Sequence, residues 1–171
     1  MKIVEALKKL RIIEKKIARN ERNITRYSSM VSTERPLFET EDSQEKEVVS
    51  LLKSNIDLVK EYLLIKNRVE NTNLQVKVEI DGVTYTLSDL LILDRKLASL
   101  MISTYKSLND NEGISRLRLV RTQVPSEGRT PYVKRFYKET TRNEGLRFWQ
   151  DLKDNIISRL EVINATTDLI E

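Results

Sequence analysis

The chain contains no cysteine and no histidine. That double absence excludes disulfides, thiolate nucleophiles, zinc fingers, Ser-His-Asp triads and imidazole acid-base chemistry together, leaving an all-carboxylate Mg²⁺ or Ca²⁺ site as the open metal chemistry. A cysteine-free chain also suits a reducing cytosol. Glycine and proline are scarce, at four and three, so few turns are available and long helices are favoured over a β-sandwich. No uninterrupted apolar run approaches the length needed to span a bilayer. The opening Met1-Lys2-Ile3-Val4-Glu5 has neither the apolar centre of a signal peptide nor an acid-free targeting pattern, so the expected location is the cytoplasm, with no membrane partner.

What is present is charge and periodicity. Charged residues make up 33% and hydrophobic residues 39%, the balance of amphipathic helices rather than of a disordered tail. At 171 residues the length fits one domain, 1–171, with helices at about 2–32, 43–72, 88–109 and 143–165. From Ile3 the apolar residues follow a seven-residue repeat: Ile3, Leu10, Ile17, Ile24 and Val31, with Ala6, Ile13, Asn20 and Tyr27 three residues later. This is a coiled-coil seam. Asn20 is its single polar member, either a buried device that fixes register or an exposed side chain.

Residues 33–42 contain Pro36, break the period and connect two helices. The second amphipathic stretch places Val49, Leu52, Ile56, Val59 and Leu63 on one stripe, with extra apolar residues at Val48, Leu51, Leu58, Tyr62 and Ile65. So broad an apolar surface should face more than one neighbour.

The period then becomes two. Leu74, Val76, Val78 and Ile80 alternate with polar residues up to Asp81-Gly82, and Val83 to Leu87 follow, which predicts a β-hairpin over 74–87 with a tight Asp-Gly turn. Ser88 occupies an N-cap position, with Leu87 and Ile92 as a hydrophobic staple and Asp89 in the first turn. Asn109 to Gly113 ends that third helix. Between Ile114 and Lys138 no helical period is evident, and the segment reads as a second hairpin over 116–138 with arms Arg116 to Val124 and Tyr132 to Lys138. A last helix carries Trp149, Leu152, Ile156, Leu160 and Ile163 on one stripe. The expected fold class is therefore mainly α, with long antiparallel coiled-coil helices, a short Asp-Gly β-hairpin and a second, basic β-hairpin.

Net charge is +4, and its distribution matters more than its size. Residues 114–148 carry nine Lys and Arg against three acids. Arg116, Arg118, Arg121, Arg129, Lys134, Arg135, Tyr137, Lys138 and Arg142 are the candidate ligand-binding residues, with Tyr132 and Phe136 interleaved. Guanidinium forks suit phosphate oxygens and aromatic faces stack planar rings, so the matching ligand is an anionic, nucleotide-like small molecule. The competing reading is a solvated edge that discourages sheet aggregation, or salt bridges to acidic segments of a neighbouring subunit. The first helix bears a second basic face, Lys8, Lys9, Arg11, Lys15, Lys16, Arg19, Arg22 and Arg26. It fits the outer side of a coiled coil, and less readily nucleic acid. No carboxylate pair has the partners of a catalytic acid and base, so the expectation is a non-enzymatic protein without cofactor.

Three short motifs resemble the septicolysin-like family of small bacterial and phage proteins. They are Val69-Glu70-Asn71-Thr72-Asn73, Asp81-Gly82 with Thr86-Leu87-Ser88-Asp89-Leu90-Leu91, and Ile163-Asn164-Ala165-Thr166-Thr167-Asp168-Leu169. The resemblance covers most of the chain and departs from the family pattern over Ile114 to Arg147, which is longer and more basic. It implies the order helix, helix, hairpin, helix, extended segment, helix. The toxin-like name implies a pore former, for which the chain offers no inserting stretch. Two functions follow as expectations. One is a self-associating binding protein that holds a phosphorylated small molecule, such as a phage protein sequestering a host immune signal. The other is a structural or assembly protein without a ligand.

Overall fold

In a computed structural model, residues 1–123 and 130–170 are described, those of 121–123 without their side chains. The protein is mainly helical with one small two-stranded antiparallel sheet among the described residues. In chain order the elements are α1 (Ile3–Tyr27), α2 (Glu41–Gln75), β1 (Lys77–Ile80), β2 (Val83–Thr86), α3 (Leu87–Ile92), a π-helical turn (Leu93–Leu97), α4 (Ala98–Lys106), α5 (Asn111–Gln123) and α6 (Glu139–Thr166). They form two compact units, Met1–Ser88 with Glu161–Glu171, and Asp89–Leu160.

In the first unit α1 packs antiparallel along α2, as the cross-pairs Lys9 with Glu61, Glu14 with Tyr62 and Asn20 with Asn55 require. The α1 seam is the one the heptad repeat names. Ile3, Ala6, Leu10 and Ile13 are buried, and Ile17, Ile24 and Tyr27 half-buried. The repeat overshoots at its end, because α1 stops at Tyr27 and Val31 is exposed beyond it. Tyr27 there stacks edge-on against Phe38, and buried Gln44 ties the connection. Its Nε2 donates to the Tyr27 carbonyl at 2.8 Å and its Oε1 accepts from the Leu37 amide at 2.9 Å. Thr40 caps α2, accepting from the Ser43 amide.

Asn20 is buried, so of its two readings the seam device holds. It donates to Asn55 Oδ1 at 2.9 Å, with Ser54 Oγ at 3.4 Å. An amide that finds its partner at one height only penalises every slipped pairing of the two helices.

The hairpin forms where alternation and Asp-Gly place it. Both Asp81 (φ 52°) and Gly82 (φ 78°) are in the left-handed region, as a tight two-residue turn demands, and Ile80 pairs with Val83. Its arms are shorter than 74–87, since α2 continues to Gln75. Helix α3 starts directly after β2 at Leu87, so Ser88 lies inside the first turn instead of at the cap.

The polar motif at 71–73 meets Ile170, just after the motif at 164–169. Thr72, wholly buried, donates to the Arg68 carbonyl at 2.7 Å and accepts from the Ile170 amide at 2.9 Å. The terminal segment also bridges the start of the chain: Ile3 N–H donates to Thr167 O, Leu169 N–H to Met1 O, and Lys2 Nζ reaches Asp168 Oδ2 at 2.6 Å. Thr72→Val keeps the shape but removes the acceptor, so we expect a loss of about 1–3 kcal/mol and faster hydrogen exchange at the Ile170 amide. Lys2, through its hydrogen bond and charge, together with the amino terminus, holds the Asp168 carboxyl below the usual aspartate range. A depressed carboxylate stabilises above its unfolded pKa and loses that contribution as pH falls through the folded one. The protection factor of the Leu169 amide, its exchange rate relative to that of an unfolded chain at the same pH, should therefore hold at neutral pH and fall only below the ordinary aspartate range.

In the second unit Leu90, Ala98, Leu152, Ile156 and Leu160 are buried. Gly145, inside α6, lies against the Tyr105 ring so closely that a Cβ would overlap it. Glycine to alanine in a helix normally gains about 1 kcal/mol. Here Gly145→Ala should instead lose about 1–3 kcal/mol through overpacking, read as a lower denaturant midpoint.

Among the described residues the second hairpin is absent, and residues 124–129, the end of its first arm and most of its loop, lie outside them. Residues from Asn111 to Gln123 are helix α5, and 130–138 have no regular structure. The Arg-Leu alternation from Arg116 to Leu119 mimics a strand, yet arginine and leucine are strong helix formers, and no proline interrupts the segment before Pro125. Asp110 opens the helix, its carbonyl accepting from the Ile114 amide.

Candidate functional site

The stripe that the sequence makes most prominent on α2 is not the one that packs on α1. Gln44, Val48, Leu51, Asn55, Leu58, Tyr62, Ile65, Val69 and Thr72 form the buried or half-buried line, stepping by alternating fours and threes. Val49, Leu52, Ile56, Val59 and Leu63 sit one residue later at each step, rotated about 100° around the helix. They are 58%, 49%, 58%, 47% and 54% exposed. Five apolar side chains in heptad register, about 21 Å long at 1.5 Å per residue, thus face solvent within this chain. One neighbour of the broad apolar surface is α1, and the second stripe has no cover among the described residues.

Charge borders this stripe unevenly. On one side run Lys46, Lys53 and Lys60, each seven residues apart. On the other lie Val48, Asn55 and Tyr62, at the margin of the α1 seam. Lys46 pairs with Asp42, and Lys60 with Asp57 at 3.4 Å, along their own helix. On the seam side, the hydrogen bond from Lys9 lowers the Glu61 pKa, and the Tyr62 hydroxyl, hydrogen-bonded to Glu14, has its pKa raised. Both are helix-to-helix ties and mark no reactive group.

The predicted ligand residues are spread over three segments. Arg116 and Arg118 project from α5 and are exposed. Arg121 belongs to α5 with its side chain outside what is described, and Arg129 lies outside the described residues. Arg135 is committed to Asp110, with Nε at 3.0 Å and Nη2 at 2.6 Å from Oδ2. That contact lowers the Asp110 pKa and raises that of the guanidinium. Arg142, in the first turn of α6, has Glu139 at 3.8 Å. Tyr137 is half-buried, and Lys134 and Lys138 are exposed.

The 130–138 connection is nonetheless anchored. Val133 packs against Gly113, and Arg135 grips Asp110 just before α5. Between these anchors Tyr132 and Phe136 stand 78% and 90% exposed, with Lys134 Nζ 5.7 Å from the Phe136 ring centre.

Cavities in the first unit lie elsewhere. One of about 450 Å³ is lined by Tyr27, Ser28 and Glu41 among others, and one of about 380 Å³ by Ser50, Lys53 and Glu61 among others. Neither contains a predicted ligand residue. Among the described residues no cluster of carboxylates is arranged to hold a metal ion, and no helix is long and apolar enough to cross a membrane.

Sequence reasoning found the α2 stripe as part of a broad apolar surface facing more than one neighbour, without separating the line that packs on α1 from the line that does not. The signal that it is a surface was the neighbouring line one residue earlier, where Gln44, Asn55 and Thr72 are polar residues that only a specific partner could satisfy. Comparison of the chain with family models, with curated proteins and with solved structures finds no match.

Proposed function

We propose that this chain is a non-enzymatic assembly protein of the bacterial cytoplasm, and that it builds its assembly by burying the outer stripe of α2 against another helix. The observation that carries this reading is the exposed heptad stripe Val49–Leu52–Ile56–Val59–Leu63. Isolated exposed apolar residues are ordinary on a protein surface. Five in seam register on one helix are not, because their spacing is the one that meshes with a second helix. The helix presenting them is already held by α1, so docking carries little of the cost of helix nucleation.

Sedimentation velocity over a wide concentration range tests the reading. A mass above that of a single chain, falling on dilution, supports it. A monomer at every concentration that binds no other helix counts against it.

A nucleotide-like ligand at 130–138 is the second reading, favoured by the exposed Tyr132 and Phe136 beside Lys134 and Lys138. Calorimetry with a panel of nucleotides tests it, with Lys134→Glu, at an exposed cation beside Phe136, as the variant expected to abolish the heat.

A further inference from the structure

Resting on the assembly reading, we infer that the occupant of the outer α2 stripe is the same stripe of a second copy, with the two α2 helices running parallel.

Three observations lead there. The first is length: the stripe ends where Glu45 and Lys66 take the next seam positions. A second copy presents a stripe of equal length ending in the same way. The second is the order of side-chain shapes. Val49 and Ile56 occupy one heptad position and Leu52 the other, the order found in two-stranded parallel pairs, while at the C-terminal end Leu63 and Val59 reverse it, so shape favours parallel pairing over the first part of the stripe alone.

The third is charge. In an antiparallel pair like borders meet, so Lys53 would face Lys60 of the other copy, with the reciprocal contact beside it. The two α1 helices, each carrying eight exposed cations between Lys8 and Arg26, would also lie on one side of the α2 pair, where their charges repel. In a parallel pair the borders interchange. The lysine row of one copy meets the Val48, Asn55 and Tyr62 border of the other, where the lysine stems lie over apolar surface and their ammonium groups reach water. The α1 helices then fall on opposite sides.

The absence of native cysteine makes the test clean. Val49→Cys and Leu63→Cys each place one thiol on an exposed residue that the fold does not need. In the parallel pair each lies beside its own counterpart. In either antiparallel register that stacks the stripes, each is roughly 15 Å or more from it at 1.5 Å per residue, beyond disulfide reach. On mild oxidation both variants should form covalent dimers at least about tenfold faster than Leu64→Cys, an exposed residue off the stripe, because association raises the effective thiol concentration. A dimer by sedimentation without such crosslinking overturns the parallel geometry and leaves the assembly reading standing. A monomer by sedimentation, with both variants no faster than Leu64→Cys, overturns self-association itself. Preferential crosslinking of both variants upholds the inference.

Discussion

Ile56→Lys should separate the copies while leaving the fold of each intact. Ile56 is the middle of the outer stripe and 58% exposed in the single chain. Fully burying an isoleucine contributes about 1.5–3 kcal/mol, of which association adds at most the 58% still exposed, and a pair of copies loses two, so association should weaken by roughly 20-fold to 300-fold. The two ammonium groups placed opposite each other add repulsion. Within the single chain the same change touches little, and surface substitutions of this kind stay within about 0.5 kcal/mol. The comparison must be made at a dilution where wild type is also monomeric, since association otherwise adds to apparent stability. There, helical circular dichroism and the denaturant midpoint should match wild type. At higher concentration only the wild type should gain mass.

Ile13→Ala should do the reverse, damaging the fold of the first unit. Ile13 is 2% exposed in the α1 seam, whereas its neighbour Ile12 is 44% exposed. Truncating a buried isoleucine removes transfer energy and leaves a cavity, together about 2–5 kcal/mol. The denaturant midpoint should fall accordingly, with the slope against denaturant little changed. Ile12→Ala removes the same atoms from a partly solvated position and should cost a small fraction of that. Equal losses in the two variants would show that the α1 seam is not where the heptad repeat places it.

The α1 seam, the Asp-Gly turn and the apolar stripe of the last helix were legible in the sequence because each depends on local spacing and a specific turn chemistry. Asp81 and Gly82 take the left-handed angles that the hairpin needs, and seven-residue spacing alone identifies Ile3, Ala6, Leu10 and Ile13 as core. The end of α1 was not legible. The repeat continues numerically to Val31, while the chain stops being helical after Tyr27 and turns into the stretch that Gln44 secures. The Arg116–Gln123 segment was misread because Arg-Leu-Arg-Leu alternates like a strand, and helix propensity outweighs two periods of alternation.

The two stripes of α2 show a different limit. Both were visible, but periodicity ranks stripes by hydrophobicity. The more uniformly apolar line, from Val49 to Leu63, stands out first, and spacing alone says that the broad surface meets more than one neighbour without saying which line meets α1. The line that packs on α1 carries Asn55 and ends in Gln44 and Thr72, whose amides and hydroxyl bond to Asn20, Tyr27, Leu37 and Ile170. Tertiary hydrogen bonds of that kind leave no trace in spacing. The basic candidate site was legible only as composition: Arg135 is taken up by Asp110, which lies 25 residues earlier in the chain.

Methyl-resolved NMR with a soluble paramagnetic probe measures the outer stripe directly. At a concentration where the protein is assembled, the methyls of Val49, Leu52, Ile56, Val59 and Leu63 should be protected from broadening, while Leu64, at 64% exposed and off the stripe, should broaden fully. Stripe methyls that broaden as readily as Leu64 at every concentration would contradict the account.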